Sequence, residues 1–137
     1  MRTAELTGEL LDYWAAKAAG VDAVMSDPYP NGSRSMVTYY YRDREGKLDG
    51  RSYKPSSHWS DGGKIIELER IGLMPVLHDG ETCWMAAHPS FGSGFPGPTP
   101  LIAAMRAYVA SKFGNMVEDV ARAAQLDGGQ GEGGANG

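Results

Sequence analysis

Cysteine is almost missing from this chain: Cys83 is the only one in 137 residues. An intramolecular disulfide is excluded, and a thiolate zinc centre would have one thiol and three histidines to draw on. A reducing cytoplasm is the expected compartment. Long apolar runs are missing too. No stretch approaches the ~20 residues that span a bilayer, and "MRTAELTGELLDYWAAKAAG" lacks the apolar core of a secretion signal, so no membrane partner is expected. There is no strong positive balance, since a net charge of −4 gives no overall attraction to nucleic acid or anionic lipid. No G-x-S-x-G elbow or paired-carboxylate signature occurs, and the adjacency of Ser56, Ser57 and His58 in sequence is not triad geometry.

With 42% apolar residues, 137 positions suffice for one domain with its own core. Thr7 as N-cap, Leu6 and Leu11 as a hydrophobic staple and Gly20 as stop bracket a first helix. Leu10, Leu11, Trp14, Ala15 and Ala18 recur along it at helical spacing. "DPYPNGSR" breaks the chain, and "SMVTYYYR" then reads as a strand through Arg42. The turn residues of "DREGKLDGR" predict an antiparallel partner around Arg51–Lys54. Tyr39 and Tyr41 fall on one strand face and Tyr40 on the other.

"KIIELERIG" is read as a turn of helix, and "GLMPVLHD" with "ETCWMAAH" as a hairpin about Asp79-Gly80. After the loop "PSFGSGFPGPTP", a second strong helix runs from Thr99 to Phe113, with Pro100 at its first position and Gly114 past its end. Leu101, Met105, Tyr108 and Val109 form its apolar stripe, joined by Ile102 and Phe113. The predicted fold is α+β: a small, mainly antiparallel sheet with two principal flanking helices. Residues 1–115 form the domain, 116–126 a weak terminal helix or extension, and 127–137 a Gly-rich tail with nothing to pack.

Three blocks, "ELTGELLDYWAAKAAG", "YKPSSHWSDGGKIIELERIGL" and "GPTPLIAAMRAYVASKFG", resemble the NinX-like family of bacteriophage and prophage proteins. The resemblance covers residues 1–115 in order. It departs from the family pattern at Lys64, where proline is common, and in the Gly-rich tail. It implies a phage-encoded accessory protein of the host cytoplasm and carries over no catalytic residue.

Three chemical readings compete with plain packing. Gly92, Gly94 and Gly97 spell G-x-G-x-x-G, yet Pro96 and Pro98 remove amide donors where a pyrophosphate would need them. His78, Cys83 and His88 do not form a metal set, because Cys83 and His88 point to opposite faces of a strand. From Arg34 to Trp59 the chain holds six basic residues, three acids and five aromatics, a mixture suited to single-stranded nucleic acid but without a sharper motif.

The strongest candidate is the loop "YKPSSHWSDGG". Tyr53, Lys54, His58 and Trp59 combine flat surfaces, a charge and hydrogen-bonding groups, with Arg70 and Trp84 as further walls. The expected function is non-enzymatic binding of a small, polar, nucleotide-like ligand, with no metal or other cofactor. The alternatives are modulation of a host or defence protein, single-stranded nucleic-acid binding, and a small enzyme centred on His58 or His88. A homo-oligomer is compatible with each.

Overall fold

Helix α1 (Gly8–Ala19) starts after Thr7 and ends at Gly20, whose φ of 73° gives the left-handed C-cap. The computed structural model describes residues 1–25 and 37–118. The "DPYPNGSR" segment, residues 119–126 and the Gly-rich tail lie outside the described residues. Leu11 and Ala15 are fully buried on α1, and Leu6 joins them in one apolar cluster. The helix also buries Asp12, on the side away from the predicted stripe.

Strand β1 (Ala23–Met25) pairs antiparallel with β2 (Val37–Arg42), which pairs with β3 (Leu48–Ser52). The register sets Tyr39 opposite Arg51 and Tyr41 opposite Asp49. Alternation along the strands then brings Tyr39, Tyr41, Arg51 and Tyr53 to one face. Tyr39 and Tyr41 stack at 5.7 Å between centroids, while Tyr40 lies on the opposite face.

Helix α2 (Trp59–Glu69) is longer than the single turn expected, because it begins before the Gly62-Gly63 pair. Gly62 is demanded by proximity: a Cβ there would stand 2.2 Å from the Pro55 carbonyl oxygen. The helix closes on Arg70 in the left-handed conformation, φ 58°.

Strands β4 (Gly72–His78) and β5 (Glu81–Ala87) form the expected hairpin, with Asp79 at φ 53° and Gly80 at φ 81° in its two-residue turn. Pro75 sits on the edge strand β4, where a missing N–H does least harm to the ladder. The Pro/Gly loop supplies a third strand, β6 (Phe95–Gly97), paired to β5. Helix α3 (Pro100–Phe113) follows, with Thr99 Oγ1 accepting from the Ile102 N–H at 3.2 Å.

The α+β architecture is therefore as expected, with antiparallel pairing throughout. Its strands divide into two three-stranded sheets, β1–β2–β3 and β4–β5–β6. Helix α3 packs on α1, α2 and the second sheet, and its small Ala103, Ala104, Ala107 and Ala110 are all buried. Such all-round burial explains why an amphipathic stripe described only part of it. Beyond α3, Met116 bridges Arg2 in antiparallel fashion, and Val117 exchanges backbone hydrogen bonds with Met1 at 2.9 Å each.

Candidate functional site

Two buried aspartates anchor the segment from Tyr53 to His58. Asp12 Oδ1 of α1 accepts from the Ser56 backbone N–H at 2.8 Å. Asp61, in the first turn of α2, accepts from the Lys54 backbone N–H at 3.0 Å and from Arg51 Nη2 at 3.0 Å. Its charge also lies toward the positive end of the α2 dipole. The Lys54 carbonyl in turn accepts from the N–H groups of Ser57 and His58. Burial raises the Asp12 pKa, an effect opposed by its hydrogen bonds from Ser56 and by the Lys54 charge.

Behind this segment, between the inner face of the first sheet and α2, opens a cleft of about 250 Å³. Tyr39, Arg51 and Tyr53 line it from the sheet side, Asp61, Lys64, Leu68 and Glu69 from α2, and Tyr108 from α3. Ala19, Val21 and Ile65 complete an apolar floor. The Arg51 guanidinium carbon stands 5.5 Å from the Tyr39 ring centroid, so the cation is shared between Asp61 and a π face. Tyr53 and Tyr108 are only 7% and 4% exposed. Neither hydroxyl has a hydrogen-bond partner among the described residues, and neither is sealed from solvent. Both residues line the cleft, and their O–H groups are free among the described residues. Burial pushes both phenols up to about 12, helped by the nearby Asp61 carboxylate for Tyr53 and by Glu69 for Tyr108. Both stay protonated at neutral pH.

Glu69 has a second engagement. Its Oε1 lies 2.8 Å from His88 Nε2, while His88 Nδ1 accepts from the Ser90 backbone N–H at 3.0 Å. That acceptor role leaves the proton on Nε2, aimed at the carboxylate. His88 is thus committed to joining α2 to the end of β5. Among the described residues no group of three or more His, Cys, Asp and Glu side chains could hold a metal ion.

The six residues singled out from the sequence do not share one site. Tyr53 alone lines the cleft. Lys54 lines a second recess with Thr7, Glu9, Asp12 and Ser56, beside the start of α1. Trp59 is 56% exposed and borders a third, with Ser57, Thr99 and Pro100. His58 is in the N-cap position of α2, where its Nδ1 lies 3.0 Å from Ser57 Oγ. Arg70 faces an open hollow on the far side of Lys64 and Leu68. Trp84 is half-buried on β5 and packs against the main core, opposite Gly97.

The sequence reading missed Tyr39, Arg51, Lys64 and Tyr108 as cleft residues. The Tyr39–Arg51 pairing needed the exact hairpin register. Lys64 and Leu68, four apart, share a face of α2, but nothing in their spacing shows that this face meets the first sheet.

The glycines of "GSGFPG" serve packing. A Cβ on Gly97 would stand 2.6 Å from the Ala103 backbone nitrogen, and one on Gly94 would stand 3.0 Å from Met85 Sδ. No helix among the described residues is long and apolar enough to cross a membrane. Residues 2–112 match the family model described as Bacteriophage P22, NinX. No curated protein matches the chain.

Proposed function

The chain belongs to the phage NinX family, a group of phage accessory proteins, and from that premise we propose that it binds a small, flat, polar ligand of nucleotide-like build in the cleft between the first sheet and α2, in the host cytoplasm. The observation that carries this reading is a pair of largely buried tyrosines, Tyr53 and Tyr108, whose hydroxyls are open to solvent and have no hydrogen-bond partner among the described residues. A hydroxyl that only water can satisfy is available to a ligand that offers a partner in its place. Leu68, 79% exposed at the rim, offers apolar surface that a bound ligand would cover.

The test is a ligand screen by thermal shift and by NMR of the tyrosine ring resonances. A ligand should raise the melting temperature and perturb Tyr39, Tyr53 and Tyr108 together. Lys64→Glu, at an exposed position with no ion-pair partner among the described residues, should weaken that ligand without altering the fold. If a broad library of small molecules leaves those resonances unmoved, the cleft is not a binding site.

A second reading rests on Trp59. An indole 56% exposed at the start of α2 is the type of side chain that anchors protein interfaces. On this reading the chain modulates a host or defence protein. A stable partner that is lost on Trp59→Ala and kept on Lys64→Glu would favour it over the cleft.

A further inference from the structure

We propose that the cleft takes an uncharged heteroaromatic, a nucleobase or nucleoside, in preference to its phosphorylated forms, and reads the polar edge of that ring with the hydroxyls of Tyr53 and Tyr108. This rests on the reading of the cleft as a ligand site and narrows it.

Charge is the first ground. Arg51 and Lys64 are balanced by Asp61 and Glu69, so the cleft has no surplus positive charge to meet a polyphosphate. Arg51 is already bound to Asp61 at 3.0 Å, and the Glu69 carboxylate is held beside His88 at 2.8 Å. Among the described residues, Lys64 is the one lining cation without an ion-pair partner. The adjoining hollow has Lys64 and Arg70 against Glu67, so it is the more cationic of the two and has no aromatic side chain in its lining. A triphosphate in the cleft would bring several negative charges close to Asp61 and Glu69, carboxylates held in place by their partners.

Size is the second. At about 250 Å³ the cleft lies just below the roughly 300–1,000 Å³ of pockets that enclose drug-sized ligands. It suits a single ring system with little attached.

Chemistry of the walls is the third. Protonated phenols both donate and accept, which fits a base edge where donors and acceptors alternate. Tyr39 and Tyr53 lie 5.9 Å apart with their planes inclined at 50°, and Ile65, Val21 and Leu68 add apolar surface for a flat ring.

The experiment is calorimetric titration of the full chain with the common nucleobases and nucleosides and with the mono- and triphosphates of each, at one ionic strength. At least one nucleoside should bind, and its triphosphate should bind no tighter. Tyr53→Phe and Tyr108→Phe should each weaken that nucleoside by about three- to tenfold, the effect of one lost hydrogen bond. Their melting temperatures should stay at or above that of the parent, which separates the loss from misfolding. A triphosphate binding ten times tighter than its nucleoside would overturn the proposal and leave the cleft as an anion site. So would silence from every base and nucleoside while another compound class shifts the three tyrosines, and in that case the cleft reading survives. If no compound of any class shifts them, both fail together.

Discussion

Asp12 and Ser56, forty-four residues apart in sequence, are joined by a hydrogen bond of 2.8 Å from the Ser56 backbone N–H to the Asp12 carboxylate. Both residues are buried. This contact fixes the Tyr53–His58 segment against α1, and Asp61 fixes it against α2 from the other side. The position of Tyr53 in the cleft depends on both.

Removing the acceptor should therefore be costly, and removing only the charge should not. Asp12→Ala strands a buried N–H and should lower stability by roughly 1–3 kcal/mol. Asp12→Asn keeps an acceptor oxygen and relieves a carboxylate whose pKa burial has raised. A carboxyl with a raised folded pKa contributes most below its unfolded value, and that contribution is lost as pH rises through the folded one. Asp12→Asn should remove this loss, so that at pH 7 it equals or exceeds the parent in urea unfolding. Equal destabilisation by Asn and Ala would show that the charge itself holds the loop.

The three glycines of "GSGFPG" should behave differently from one another. Gly97→Ala would press a methyl against the Ala103 backbone, and the contact distance of 2.6 Å leaves no rotamer to relieve it. Destabilisation of at least about 1–3 kcal/mol is expected, as for other overpacked sites. Gly94→Ala would meet the flexible Met85 side chain at 3.0 Å, which can give way, and should cost less. Gly92→Ala meets nothing within 4 Å and should unfold like the parent. A phosphate-binding loop would instead show all three glycines affecting ligand affinity and few affecting stability.

Much of the scaffold was legible because its signals are local. Thr99, Pro100 and Gly114 mark the ends of α3, and Asp79-Gly80 marks a hairpin, through backbone conformations that each residue favours by itself. Strand β6 was not legible, since Phe95, Pro96 and Gly97 have no strand pattern and are held by pairing with β5. The lining of the cleft was hidden for the same reason at a larger scale. Tyr53 was found because it belongs to an unusual loop. Tyr108 read as a core stripe residue, and it is one; it also borders a space made with two other elements. No spacing within α3 encodes that.

Arg70 gives a separate test of what the α2 terminus does. Its φ of 58° is a conformation that a side chain with a Cβ adopts at a penalty of roughly 1–2 kcal/mol. Glycine avoids that penalty while gaining freedom in the unfolded chain, so Arg70→Gly should stabilise by up to about 1 kcal/mol. Ligand affinity in the cleft should be unchanged, because Arg70 lies outside it. A large fall in affinity with stability preserved would place the arginine in the binding machinery.

Alkaline unfolding should report directly on the two phenols. Tyr53 and Tyr108 titrate near 12 in the folded chain against an ordinary value of 10.0, so the folded state holds their protons more tightly. Stability is then full below about pH 10 and falls as pH rises through the folded values. Solvent reaches both hydroxyls and screens the effect, so each phenol accounts for a loss of at most about 1–2 kcal/mol across that window. Urea midpoints measured from pH 8 to pH 11.5 should fall steeply above pH 10 in the parent. Tyr53→Phe and Tyr108→Phe should each remove about half of the fall, and the double variant most of it. Because neither hydroxyl has a partner to lose among the described residues, the same substitutions should leave stability at pH 8 unchanged or slightly higher. A matching loss at pH 8 would mean that the hydroxyls are already paired within the fold, and the cleft would then have no free donors to offer.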